Sequence, residues 1–289
     1  THCISSAASD VYKRQVIILY GSLARHLDST DPRIKEIIDR LIVALSTPSE
    51  NVQFAISECL APLVSMINLK PNKYLDELFE KLFAAKTLAQ RRGAAYGISG
   101  IVKGSGIKSL AENDIMRNII DAADDKKDAK KREGVMFSLE CLSQSLGPFF
   151  EPYVIEVLPI ILRSFGDQTA EVREATDFAA RVVMKNTTSY GVKKLIPLAI
   201  QNLDDIAWRS KKGSVELLGS MAYLDPTQLS SSLPKIVPEI VKVLNDSHKE
   251  VRKAADQALK KFGDVIRNPE IQKLVPILLN AIGDPANHT

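Results

Sequence analysis

The chain has 289 residues, 45% of them hydrophobic and 25% charged, which is the make-up of an ordinary folded protein. Its 38 basic and 35 acidic residues leave a formal charge of +3, too balanced for a dedicated nucleic-acid binder, although local basic patches remain possible. No uninterrupted apolar run approaches the ~20 residues of a membrane span, and residues 1–15 lack the apolar core of a secretory signal.

Residues 1–15 (THCISSAASDVYKRQ) show no helical period and read as a non-native or disordered tail, so the folded region is taken as 16–289. Val16 to Leu27 reads as one apolar helix, the second half of a hairpin. Asp31-Pro32 then opens a helix, with Asp at the cap and Pro at the first helical position. Ile34, Ile37, Ile38, Leu41 and Leu45 recur at steps of three and four residues. Thr47-Pro48-Ser49 breaks that helix, and Val52 to Ile67 forms its partner. The same pairing recurs at Tyr74–Ala85 with Gln90–Lys103 and at Asn113–Ala123 with Lys130–Leu146. It continues at Pro152–Phe165 with Glu171–Lys185, at Val192–Leu203 with Ala207–Tyr223, and at Leu233–Leu244 with Glu250–Ile266. A further first helix is predicted over Pro269–Ile282.

Two columns give the period independently. The first is an apolar residue and a proline with an aspartate eight residues beyond, at Pro159/Asp167, Pro197/Asp205, Pro238/Asp246 and Pro276/Asp284; the prolines are 38, 41 and 38 residues apart. The second is a small residue in each second helix, at Ala55, Gly93, Gly134, Ala175, Gly213 and Ala254. Glycine inside a helix costs ~1 kcal/mol relative to alanine, so three glycines in one column predict close helix–helix approach. A repeat near forty residues built of helix pairs is the signature of a HEAT-type array. The predicted fold is therefore all-α, a right-handed HEAT or armadillo-like solenoid of about seven hairpins. Half-repeats at both ends, without the polar caps such arrays need, lead to the expectation of a fragment of a longer solenoid. The four repeated prolines are expected to bend their first helices alike.

Sites of chemistry are hard to find. Gly100 to Ser109 (GIVKGSGIKS) superficially suggests a phosphate loop, but Ile107 separates the last glycine from Lys108 and the segment follows a helix. It reads better as a glycine-rich helix end. Cys3, Cys59 and Cys141 have neither pairing nor metal spacing and read as buried or half-buried thiols of a reducing compartment. His2, His26, His248 and His288 are scattered without ligand spacing and read as solvated or capping residues. No catalytic constellation, cofactor or metal site is found, so the chain reads as no enzyme.

Two residues before the small column stands a mostly basic one: Gln53, Arg91, Arg132, Arg173, Lys211 and Arg252. With Asp167, Asp205 and Asp246 six residues before the last three, it reads either as a ladder of ion pairs between neighbouring repeats or as a ligand-binding column. The unit around residue 125 has a longer loop, where Lys126, Lys127, Lys130, Lys131 and Arg132 crowd a helix start that the macrodipole disfavours for cations. A second cluster is Trp208-Arg209-Ser210-Lys211-Lys212. Aromatic and basic side chains together suit phosphates and bases. The competing reading is a solvated mixed-charge face. The residues singled out for ribosomal RNA or partner contact are Lys126, Lys127, Lys130, Lys131, Arg132, Trp208, Arg209 and Lys212.

The stretch from Trp208 to Ile271, with GSVELLGSMAY and VIRNPEI, resembles the central HEAT region of the general-control translational activators. RRGAAYGISGIVK at Arg91–Lys103 and KREGVMFSLECL at Lys131–Leu142 are similar to the preceding repeats of that region. The resemblance runs from about Val16 to Pro285, and the region is itself similar to the HEAT part of fungal elongation factor three. It implies a scaffold that binds translating ribosomes through ribosomal RNA and proteins, meets an ABC-class ATPase partner, and passes a stalled-ribosome signal to the initiation-factor-two-alpha kinase under amino-acid starvation. The kinase would be engaged through regions outside this segment, and the setting would be cytoplasmic and ribosome-associated, with no membrane. The alternatives are a HEAT protein–protein adaptor without RNA contact, or the HEAT part of an elongation-factor-three-like factor.

Overall fold

The computed structural model describes residues 2–67, 72–223 and 226–266, which fall into two compact units, 1–150 and 151–289. Every described element is helical. Unit 1 holds α1 (His2–Ala24), the hairpin α2 (Arg33–Ala44) and α3 (Glu50–Met66), the hairpin α4 (Asn72–Ala84) and α5 (Leu88–Ser105), a one-turn α6 (Ser109–Glu112), and the hairpin α7 (Ile115–Ala123) and α8 (Ala129–Leu146). Unit 2 holds α9 (Glu151–Ser164) with α10 (Ala170–Lys185), α11 (Ser189–Gln201) with α12 (Trp208–Ser220), and α13 (Pro226–Val243) with α14 (Lys249–Ile266). The seventh predicted hairpin, from Pro269 and including Pro276, lies outside the described residues.

The α-solenoid expected from the sequence is the fold, and six of its hairpins are in the places predicted. The three- and four-residue apolar steps are the reason. In α2, Ile34, Ile37, Ile38, Leu41 and Ile42 are all buried on one face. Second helices are buried more fully, since each lies between neighbours: α3, α5 and α8 have buried residues almost all round.

Several boundaries differ from the sequence reading; α13, for one, begins at Pro226 rather than Leu233. The first helix begins at His2 rather than Val16, so residues 2–15, set aside as a tail, are helical. Their serines and alanines carry no breaker, and extending a formed helix costs little beside nucleating one. A further difference is at Asn113, the predicted start of a helix running to Ala123, before which the chain forms an unpredicted turn of helix. Asp114 takes φ 51°, in the left-handed region, and splits α6 from α7; short polar side chains tolerate that region best.

The stretch 129–164 contains a window of mean hydropathy 1.4, apolar enough by composition for a membrane span. It is not one helix. A 3-10 turn at Gly147–Phe150, with Gly147 at φ 54°, separates α8 from α9. The apolar residues Val135, Met136, Leu139 and Leu142 of α8 are core. Cys59 and Cys141 are buried free thiols, as expected, and burial pushes both pKa values up.

The small column does what its glycines predict. A Cβ on Gly134 would stand 2.7 Å from the Leu82 carbonyl oxygen at the end of α4. One on Gly93 would collide with the Leu45 carbonyl at the end of α2, and one on Gly213 with the Phe165 ring at the end of α9. In each case a second helix docks on the last turn of the preceding hairpin's first helix. Gly100 adds a close approach of α5 to α3, where a Cβ would lie 2.8 Å from the Ser57 carbonyl. The run that mimics a phosphate loop is thus packing glycines followed by a turn, with Gly106 at φ 91° donating its N–H to the Val102 carbonyl. Pro159, Pro197 and Pro238 all lie inside their first helices, which continue through them.

Candidate functional site: the hairpin turns and their basic clusters

The turn between first and second helix is built the same way in most repeats. An aspartate folds back on the chain: Asp125, Asp167, Asp205 and Asp246 each accept, through Oδ1, the N–H two residues on, at 2.8–3.0 Å. Such aspartate-headed turns cap the start of the next helix. The basic column then closes the turn from the other side. Arg173 donates to the carbonyls of Asp167 and Gln168 at 2.7 and 2.9 Å, and Arg252 to those of Asp246 and Ser247 at 2.6 and 2.8 Å. Arg91 reaches the Ala85 carbonyl at 2.9 Å, and Gln53 reaches that of Thr47 at 2.7 Å. Each of these reaches a carbonyl six residues back. Arg132 bonds the Asp125 carbonyl at 2.7 Å, seven back, because its loop is one residue longer.

The column is therefore mainly a lock on each hairpin's own turn. Some of its members also link neighbouring hairpins, Gln53 among them through the Ala89 carbonyl at 2.8 Å. Arg91 donates to Glu133 of α8 at 2.9 Å, both side chains buried, and Lys211 donates to Asp246 at 2.9 Å. Burial acts to raise the Asp246 pKa, but the His248 N–H and Lys211 outweigh it, so the carboxyl sits below its usual value.

In unit 1 the predicted basic cluster divides in two. Lys131 pairs with Asp125 at 2.9 Å and Arg132 holds the turn carbonyl, so both are structural. Lys126, Lys127 and Lys130 are exposed and have no ion-pair partner among the described residues. The unfavourable lysines at the start of α8 are offset by two carboxylates. Asp128 caps the helix by accepting from the Lys130 and Lys131 N–H groups at 2.9 and 3.4 Å. Asp125 is held down to a pKa of about 2 by the Lys131 ammonium and by the Asp128 and Lys127 N–H groups. The outcome is a rigid turn that presents three free ammonium groups.

In unit 2 the predicted tryptophan is not an open stacking platform. Its ring stacks on His248, centroids 3.8 Å apart and planes within 8°, and the Arg209 guanidinium lies 4.6 Å from its centre. His248 also accepts the Glu250 N–H through Nδ1 at 3.3 Å, the capping role expected of a scattered histidine. Lys212 pairs loosely with Glu216 at 3.4 Å. Arg209 stays exposed, and beside it Ile206 is 100% exposed at the tip of the turn. Sequence reasoning missed Ile206 and the stacking of His248 on Trp208: a single apolar residue in a loop and a pair of rings forty residues apart give no periodic signal.

Comparison with known proteins bears directly on these repeats. The family described as EF3 N-terminal HEAT repeat matches residues 91–259, more than half of the chain. The chain belongs to that family. Within it, the sequence is 61% identical over 99% of its length to the yeast (Saccharomyces cerevisiae) eIF-2-alpha kinase activator GCN1, and 48% identical over 99% to the human stalled ribosome sensor GCN1. In each case it spans about a tenth of the relative's length, 11%. Elongation factor 3 of Gonapodya prolifera is 28% identical over 72% of the chain, which covers 19% of that protein. The resemblance to the general-control activators, with elongation factor three as the more distant relative, is thus upheld. Among solved structures, the N-terminal domain of MAST/Orbit superposes with a TM-score of 0.51 at 18% identity, covering 73% of this chain and 91% of that one, a likeness of fold.

Proposed function

We propose that this HEAT segment is a non-enzymatic, ribosome-binding scaffold within a translational regulator that activates the initiation-factor-two-alpha kinase when ribosomes stall or amino acids run short. The observation that carries the reading is the 61% identity, across nearly the whole chain, to a relative named as an activator of that kinase. An ABC-class ATPase is a further partner in this reading. The kinase engages regions beyond the segment, and the setting is the cytoplasm.

The contact chemistry follows from the turns. Lys126, Lys127 and Lys130 project from a turn fixed by Asp125, Asp128, Lys131 and Arg132, so placing them against ribosomal phosphates costs little side-chain ordering beyond the lysines themselves. Phosphate contacts of this kind position a protein without reading sequence. Trp208, Arg209 and Lys212 make a second contact in unit 2, with the exposed Ile206 beside them suited to a protein surface. Replacing Lys126, Lys127 and Lys130 together by Glu is expected to weaken ribosome co-sedimentation, and to flatten its salt dependence as phosphate contacts are lost. Sedimentation unchanged by the triple reversal at every salt concentration would remove this turn from the contact. Binding to defined protein partners that survives nuclease and high salt, with no ribosome present, would favour the adaptor reading instead.

A further inference from the structure

Unit 2 contains a recess beside the turn clusters, sharing only Lys212 with them. It lies along the second helices α10, α12 and α14 and has a volume of about 850 Å³, within the range of ligand pockets. Its floor is apolar and buried, formed by Phe165, Met184, Leu217 and Ala258. Its wall is charged. Arg181, Lys185 and Lys261 have no ion-pair partner among the described residues, while Lys212 and Glu216 pair with each other. Asp177 is the remaining anion, and burial together with the nearby Glu216 pushes its pKa up.

The recess exists because α10 is not drawn against α12. The glycines of α12 close other gaps: Gly213 takes the Phe165 ring, and Gly219 lets Ala258 of α14 approach, where a Cβ would meet its methyl at 2.8 Å. The sequence of α10 contains no glycine, so nothing brings its backbone against α12. An apolar floor under a net-positive wall matches one kind of occupant well. Carboxylates on a peptide can meet Lys185, Lys261 and Arg181, whose guanidinium otherwise lies over the Phe178 ring at 5.8 Å, while its apolar side chains cover the floor. Nucleic-acid phosphates would answer the cations and leave the floor in water.

We propose that this recess binds an acidic peptide segment of a partner protein, seating apolar side chains on Phe165, Met184 and Leu217 and carboxylates against Arg181, Lys185 and Lys261. The site is separate from the lysine turn of unit 1 and does not depend on the ribosome contact proposed there.

The test uses the 289-residue chain and a short fluorescein-labelled peptide repeating leucine and glutamate, read by fluorescence anisotropy. Saturable binding that weakens with salt is expected, with a glutamine-for-glutamate peptide binding at least roughly tenfold more weakly. The variant R181E/K185E/K261E should lose roughly tenfold or more, whereas K126E/K127E/K130E should bind as the parent does. Lys185 is exposed, so K185Q cannot act by unfolding, and it should weaken binding in the same direction by a smaller factor. Absence of saturable binding, equal affinity for the neutral peptide, or indifference to the triple reversal and to K185Q would overturn the proposal. So would a uridine oligonucleotide that competes fully with the peptide and is lost on the same reversal.

Discussion

The two units use one repeat and pack it differently. In unit 1, α5 brings four glycines to its neighbours, and Gly93, Gly97, Gly100 and Gly104 press against the end of α2, α4 and the backbone of α3. Its second helices close on one another, and ion pairs bridge them: Arg91 with Glu133, Arg92 with Glu50, Lys103 with Glu58. In unit 2, α10 has no glycine, and the space between second helices opens into a recess with unpaired cations. Glycine placement in the second helices therefore decides whether the inner surface is sealed or available. The sealed unit offers its chemistry at a turn, and the open unit offers a recess as well.

This comparison can be broken first at the buried pair. Arg91→Ala would leave Glu133 as an uncompensated buried charge and free the Ala85 carbonyl, at a cost of roughly 3–5 kcal/mol; chemical denaturation of unit 1 would read it. The exposed pair Lys260–Asp256 in α14 should cost no more than about 0.5 kcal/mol when Lys260 is replaced by Ala. Gly93→Val should cost about 3 kcal/mol or more, since its side chain has only the Leu45 carbonyl to enter. A small loss on thermal melting would mean that α5 can retreat from α2.

A third prediction concerns Glu140 of α8. Burial, with Glu50 nearby, raises its pKa from 4.5 to about 7, against the favourable pull of Arg92. The folded state then holds a proton that the unfolded state releases, so stability falls as pH rises from about 4.5 to about 7 and stays reduced above it. Glu140→Gln should therefore stabilise the protein by about 1–3 kcal/mol at pH 8. The advantage should shrink through that window and vanish below about pH 4.5. A constant advantage at all pH values would contradict the assignment. A small effect, opposite in sign to the losses at Arg91 and Gly93, is expected at Gly263 in α14, where an added Cβ meets nothing within 4 Å. Gly263→Ala should stabilise by about 0.5–1 kcal/mol through helix propensity alone.

Much of this was legible in the sequence. The period, the six described hairpins and the close approach at Gly93, Gly134 and Gly213 follow from residue spacing, because core burial and steric contact repeat with the fold. The basic column was legible as a column, yet its purpose was not. An aspartate and an arginine six residues apart suggest an ion pair, and only the turn geometry shows the guanidinium on backbone carbonyls. Trp208 was legible as an unusual residue, while its stacking on His248 comes from the next hairpin, forty residues along. The recess had no sequence signal, since it arises from glycines that α10 lacks.

The measurement that bears most directly on the proposed function is lysine acetylation footprinting of the chain, free and bound to ribosomes. The account predicts that Lys126, Lys127 and Lys130 become protected in the bound state while Lys185 and Lys261 keep their reactivity. Protection confined to Lys185 and Lys261, with the unit 1 turn as reactive as in the free chain, would contradict it.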